Sequence, residues 1–415
     1  MQAVIAIPEL PELRKYLGGK EFLTREVAGV PLLIRVLATA VRAGVDSLLV
    51  IWPENTDRAI CKRCVSSPLL RGVKVRELIT SRPFDPRQTA SWNAVADSLE
   101  DQFLWLPWNW VTHKRALAEI SLSPVLPAKW DAPVLISRRA AVHSPRIRVV
   151  SRWNAEGVSV TSLKRIATAE RFLVAHSGKP SDGIYSKFNR LLCRPWVRWL
   201  AHTRVTPNWV TLAGLAVAVL AAFFYARGLY ASYVAGALLF FVSGLFDEID
   251  GMLARIKFRE SAFGTWFEGF VDNATYLLLF AGMTIGLYRQ RGRAELIYGL
   301  ALIIGCVLSV VAVAWQRKMS TAPERPHEYA GQLNRLLETD SNVISKVVRQ
   351  IHIFIKKGVA IHYVLIFTVA GGLPLFLRLA AIAANLTWIL VLYFNRRFFR
   401  NRDFQSTVED LSKAA

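Results

Sequence analysis

From about residue 205 onward the chain alternates long apolar runs with short basic or turn-forming segments. Six runs, about 206–226, 231–249, 264–287, 296–316, 359–377 and 379–395, approach or reach the roughly twenty residues that a bilayer-crossing helix needs. The last two are joined by a very short turn. The first part of the chain has a different grain. Val30 to Arg42 keeps helical spacing, Gly44 can end that helix, and "SLLVIW" follows as a short apolar run of the buried-strand type. A helix feeding a parallel core strand predicts a wound α/β sheet. Further on, "SLKRIATAERFLVAHSG" predicts a bridging helix, and "KPSDG" breaks the chain at Pro180 and Gly183. In "IYSKFNRLLCRPWVRWLAHTRV", Lys187, Arg190, Arg194 and Arg198 recur at three- to four-residue spacing beside Phe188, Leu191, Leu192, Trp196 and Trp199. That pattern predicts a basic amphipathic helix lying in a membrane interface.

The expected fold class is a soluble α/β N-terminal domain followed by an all-α polytopic membrane domain of six transmembrane helices. Its expected divisions are a cytoplasmic domain over 1–175, a linker and interfacial helix over 176–204, the membrane domain over 205–400 and a tail over 401–415. Composition supports this division: 53% hydrophobic residues in a chain of 415 is high for a wholly soluble protein. A net charge of +21 suits either nucleic acid or an anionic membrane surface. Many Lys and Arg flank the apolar runs and no nucleic-acid-binding signature stands out, so membrane lipid is the expected partner and nucleic acid is not. An even number of spans puts both ends of the membrane region on one side. The positive charges in 317–357 and at Arg396, Arg397 and Arg400 place that side in the cytoplasm, together with the N-terminal domain and "FDEIDG", in a multi-pass protein of the inner (cytoplasmic) membrane. The loop "YRQRGRAE", with Arg289, Arg291 and Arg293, falls on the opposite face and runs against this rule. Cys61 and Cys64 have no second pair to complete a zinc site, so the four cysteines read as ordinary thiols. "MQAVIAIPELPELRKYLGG" lacks the basic start and long apolar core of a signal peptide.

Within this apolar region, "FDEIDGMLARIKFRESAFGTWFEGFVD" stands out. Asp247 and Asp250, three apart, share one helix face, and Glu268 and Asp272, four apart, share a face of the next helix. A short connection makes the two helices antiparallel neighbours, so the two acid pairs can meet in one pocket. An ionised carboxylate inside a membrane helix costs roughly 2.5–3.5 kcal/mol even on the lenient insertion scale. Four together call for divalent cations: Mg²⁺ or Mn²⁺ favours all-oxygen sites, and two such ions suit phosphoryl transfer. Gly251 lets the backbone approach a ligand, Ala254 keeps the surface shallow, Arg255 can grip a phosphate, and Gly264 gives room opposite.

The run Asp247-x2-Asp250-Gly251-x2-Ala254-Arg255-x8-Gly264-x3-Glu268-x3-Asp272 resembles the signature of the CDP-alcohol phosphotransferase (CDP-alcohol phosphatidyltransferase) family, with every spacing kept and Glu268 standing at the family's third aspartate. Thr206-Pro207-Asn208 and Thr211 resemble that family's entry into its first span. The resemblance implies an integral membrane transferase of substituted phosphate groups. It would move a phospho-alcohol group from a CDP-linked donor such as CDP-diacylglycerol to an alcohol or phospho-alcohol acceptor, releasing CMP, in phospholipid or polar head-group synthesis. Carried over, Asp247, Asp250, Glu268 and Asp272 would hold the metals, and Asp272 would also act as general base. Gly251, Ala254, Arg255 and Gly264 would face the diphosphate and cytidine, with Asn208 and Thr211 near the base or ribose. Arg317 and Lys318 would face a phosphorylated acceptor. Homodimers are common in the family. Because of Glu268, a catalytically weak CDP-alcohol-binding platform is the alternative; a transporter has no reason to pair acids with a phosphate cradle.

The helix and strand of Val30–Pro53 resemble nucleotidyltransferases, as in bifunctional cytidylyltransferase and di-myo-inositol-phosphate-phosphate synthase enzymes. The chemistry of that family is missing. Pro8 and Pro11 stand where a Gly-rich loop should follow the first strand, and Asn109, between Trp108 and Trp110, stands where a metal-binding aspartate should be. An inactive nucleotidyltransferase-like domain is therefore expected.

Overall fold

The computed structural model describes residues 1–9, 21–120, 122–123, 130–143, 156–178, 183–320, 357–394 and 396, except for the side chains of 21, 22, 122, 123, 317–320, 357 and 358. The chain divides into two compact units. The first comprises Met1–Lys179, Arg194–Val205 and Met252–Glu260, and the second Pro180–Cys193, Thr206–Gly251 and Ser261–Ala415. Pro11, named above, lies outside the described residues.

In the first unit a six-stranded sheet is built from β1 (Gln2–Ala6), β2 (Ser47–Pro53), β3 (Lys74–Thr80), β4 (Gln102–Trp105), β5 (Leu122–Ser123) and β6 (Val134–Ser137), in the order β3-β2-β1-β4-β6-β5. All neighbours run parallel except β4 and β6. The near-continuous apolar runs of β1 and β2 follow from burial on both faces, as a sheet covered by helices requires. Helix α1 (Leu32–Arg42) precedes β2 as the spacing predicts, and Gly44, at φ +95°, turns the chain into the strand. One side of the sheet closes on an aromatic cluster in which Trp92 packs against Phe103, Trp105 and Trp130 at 5.3–5.6 Å between centroids. Between β1 and β4 the strand order changes direction, the place where open α/β sheets commonly bind ligands. There β4 continues into Leu106-Pro107-Trp108-Asn109, which offers no carboxylate. Asn109 is buried and its amide donates to Ser159 Oγ at 3.2 Å and the Val160 carbonyl at 3.1 Å. It holds the neighbouring segment in place. Helix α2 (Leu163–Ala175), capped by Ser162, forms where a helix was expected and lies within the first unit.

Helix α3 (Ile184–Ala201) matches the predicted amphipathic helix, with Ile184, Phe188, Leu191, Trp196 and Trp199 exposed and Pro195 accommodated inside it. Arg190 departs from the expected basic face. It is buried in the second unit and pairs with Glu248 at 2.8 Å, because an acid inside an apolar helix needs a cation more than the solvent does. In the first unit Lys257 Nζ donates to the carbonyls of Leu200, Thr203 and Val205 at 2.7–3.1 Å, closing the end of α3. Burial lowers its pKa, yet three acceptors hold the ammonium in place. Lys257→Met should therefore cost about 1–3 kcal/mol by leaving carbonyls without their donor, read as a lowered thermal unfolding midpoint.

The second unit continues with α4 (Pro207–Ala226), α5 (Tyr230–Ile256), α6 (Ala262–Arg291), α7 (Arg293–Ser320), α8 (Lys357–Val369) and α9 (Leu373–Phe394). Among the described residues, four helices are long and apolar enough to cross a membrane: α4, α6, α7 and α9; Val359–Val369 is a shorter apolar stretch. The break between the last two helices falls at 370–372 and not near residue 378 as expected. Gly371 adopts φ +71° there and Pro374 sits in the first turn of α9, so the chain turns within what reads as one apolar run. Helices α4 and α6 touch at backbone distance, since a side chain at Gly282 would strike the Ala222 main chain. Tyr225, Phe240, Leu279, Met283, Leu302, Ile361 and Leu377 form the buried core around this contact.

Candidate metal centre

Helix α5 is apolar through its first half and carries Asp247, Glu248 and Asp250 where it passes into "DGMLARIK". Helix α6 starts after Ser261, whose Oγ accepts from the Gly264 amide at 3.0 Å, and it carries Glu268 two turns in. Ligand oxygens of Asp247, Asp250 and Glu268 all lie within 4.8 Å of one another. The glutamate at the third position thus reaches the cluster in spite of its extra methylene. Asp250 is 3% exposed, the other two half-buried. Thr211, on α4, donates to Asp250 Oδ2 at 2.5 Å. A short hydroxyl–carboxylate bond of this kind orients the acid and lets a second oxygen face a ligand. Thr211→Val should weaken divalent-cation affinity about 10- to 100-fold with the fold intact, as measured by Mn²⁺ titration.

The other expected site residues lie on α4, α5, α6 and α7. Asp272 lies on the same face of α6 as Glu268, one turn on, and is not among the three converging acids. Asn208 Oδ1 lies 3.6 Å from where a side-chain carbon on Gly264 would be, so these two positions face each other. Thr211, expected near the nucleotide, is bonded to Asp250. Gly251 and Ala254 are half-buried on α5. Arg255 donates through Nε to the Ser177 carbonyl at 2.5 Å within the first unit. Arg317 and Lys318 fall on the last turns of α7, and their side chains lie outside the described residues.

Two features were missed in the sequence. Glu248 and Arg190 form a largely buried pair, 12% and 11% exposed, beside the cluster in sequence. An unexplained third acid in "FDEIDG" was the available signal. Tyr276, one turn beyond Asp272, is close enough for both Asp272 and Asp247 to act on it electrostatically, and its buried hydroxyl has no hydrogen-bond partner among the described residues. Spacing from Glu268 and Asp272 marks it as a member of the same helix face.

Residues 204–393 match the family model described as CDP-alcohol phosphatidyltransferase. That segment is therefore similar to CDP-alcohol phosphatidyltransferases. A stretch of 105 residues is 36% identical to archaetidylinositol phosphate synthase from Methanothermobacter thermautotrophicus, covering 25% of this chain and 50% of that protein. The chain thus spans about half the length of the curated relative it matches. The family-matched region takes in α4 to α9 and the whole acidic cluster, and leaves the six-stranded sheet outside it. The expectation of a phosphotransferase signature in "FDEIDG" and beyond is supported by this match.

Proposed function

We propose that the protein is an integral membrane CDP-alcohol phosphotransferase, which moves a phospho-alcohol group from a CDP-alcohol to an alcohol acceptor and releases CMP. The observation that carries this reading is the convergence of Asp247, Asp250 and Glu268 within 4.8 Å inside a region matching that family. Three carboxylates with a Thr211 orienting bond are an all-oxygen donor set, which fits Mg²⁺ or Mn²⁺. Two such ions held there would neutralise the donor's diphosphate and the departing CMP.

The chain's own groups do the rest. Asp247, Asp250 and Glu268 hold the cations, and Asp272, outside the converging three but one turn away, takes the proton from the acceptor hydroxyl. Its position at the end of the row separates the base from the cation ligands. Gly251, Ala254, Gly264 and Asn208 are assigned to the donor side, and Arg255 to the diphosphate. Arg317 and Lys318 serve the acceptor side. The relative is named for making archaetidylinositol phosphate, so an inositol phosphate is the first acceptor to test, beside CDP-diacylglycerol as donor. We further propose six spans formed by α4 to α9, with the sheet domain, the acidic cluster and the C-terminus on the cytoplasmic side of the cytoplasmic membrane, α3 in its interface, and assembly as a homodimer. The sheet domain is proposed to be nucleotidyltransferase-like and inactive, supported by its wound order and by Asn109 being spent on Ser159 and Val160.

Purified protein incubated with CDP-diacylglycerol or CDP-inositol, Mg²⁺ or Mn²⁺ and a panel of alcohols should release CMP only when cation and a suitable acceptor are both present. CDP-alcohol binding without CMP release under every combination would replace this reading with that of a binding platform.

A further inference from the structure

The first unit contains a cleft whose lining includes none of the acidic cluster's ligands. Its walls are one face of α1, the segment Thr112–Arg115, the C-terminal end of α2 and the segment 255–260, all within that unit. Arg35, Thr39 and Arg42 reach it at four- and three-residue spacing, which is one stripe of a helix. Five fixed cations line it, Arg35, Arg42, Lys114, Arg115 and Arg255, against the single carboxylate of Glu260. That carboxylate is already divided: one oxygen lies 3.6 Å from both Arg42 Nη1 and Lys114 Nζ, beyond good hydrogen-bond distance to either. The two lining histidines, His113 and His176, stack on each other and point ring nitrogens at Glu156.

Arg35 makes the excess charge hard to explain as a solvated surface. It is 1% exposed, its Nε and Nη2 donate to the carbonyls of Val27 and Ala28 at 2.9 and 3.3 Å, and its guanidinium lies 5.2 Å from the centre of the Phe258 ring. Among the described residues no carboxylate stands within ion-pair distance of it. Glu170 acts on it from farther away while accepting from the Ala28 amide at 2.9 Å and pairing with His202 at 3.1 Å. Burial pulls the Arg35 pKa down to about 9, so at neutral pH the group is still a cation. Keeping a buried guanidinium on neutral partners beside four more cations is costly unless an anion completes the arrangement.

We infer that this cleft binds a phosphate-bearing anion, gripped by Arg42, Lys114 and their neighbours over the buried charge of Arg35. The cavity of about 80 Å³ has room for several waters or one phosphate-sized group. A phosphate monoester, with nearly two charges and three acceptor oxygens, uses an excess of four cations better than a monocarboxylate does. Four of the five cations lie between residues 35 and 115, outside the family-matched region 204–393, so this is a site of the first unit that shares only Arg255 with the proposed transfer chemistry. The phosphate can come from a soluble ester or from a lipid headgroup.

The test uses the full chain in phosphatidylcholine nanodiscs with EDTA present, so that the acidic cluster holds no cation. Inorganic phosphate, compared with chloride at matched ionic strength, should raise the thermal midpoint. The double variant Arg42→Gln/Lys114→Gln should bind phosphate about tenfold or more weakly. Unchanged Mn²⁺ binding, measured separately without EDTA, would show that the variant is folded. Stabilisation appearing only in nanodiscs that also contain phosphatidic acid, and lost in the variant, would assign the headgroup as the source. If neither phosphate nor phosphatidic acid stabilises the protein beyond chloride, or if the variant responds as the unmodified chain does, the site is refuted.

Discussion

Asp250→Asn should lower CMP release by at least about 10³-fold, on the order of 4 kcal/mol of transition-state stabilisation, and should abolish tight divalent-cation binding. Of the three converging acids Asp250 is the most buried, and it is the one that Thr211 orients. Asparagine keeps its size and can still accept from Thr211, so the fold should survive while the charge that attracts cations is lost. The measurement is paired: CMP release under saturating donor and Mn²⁺ affinity on the same preparation. A variant that kept both would separate the cluster from the chemistry.

Asp272→Asn should behave differently. With Asp272 outside the three converging acids, Mn²⁺ and CDP-alcohol affinities should change by no more than a few-fold, while turnover falls by about 10²- to 10⁴-fold through loss of the general base. The discriminating result is the pattern across both readouts. Loss of Mn²⁺ binding together with turnover would make Asp272 a cation ligand, and retained turnover would remove it from the proton transfer.

The contrast between these two acids shows what sequence spacing conveys. Period-three and period-four spacing on two adjacent helices was enough to bring Asp247, Asp250 and Glu268 together, because both helices are regular through the motif. The wound sheet was legible for a similar reason: β1 and β2 are buried on both faces and so are written as unbroken apolar runs. Partners far apart in sequence were not legible. Thr211 meets Asp250 across 39 positions and Arg190 meets Glu248 across 58, and no local pattern records such pairings. A repeat of basic residues along α3 says that a charged stripe exists, and says nothing about which member an acid on another helix will claim. Likewise the Gly-Gly turn at 371–372 is invisible to an average over a span, because two small residues scarcely lower the hydropathy of their neighbours. The cationic cleft assembles residues 35 to 260 and exists only once the first unit has folded.

Glu268 is where the chain departs from the motif it otherwise keeps, and the geometry shows its carboxylate reaching the cluster. The most direct test of the account is the number of Mn²⁺ ions bound per chain in the presence of a CDP-alcohol, counted by electron paramagnetic resonance for the unmodified protein, Glu268→Asp and Glu268→Ala. The first two should hold the same number, and Glu268→Ala should lose at least one ion together with CMP release. An alanine variant that binds as many ions and turns over as fast as the unmodified protein would contradict it.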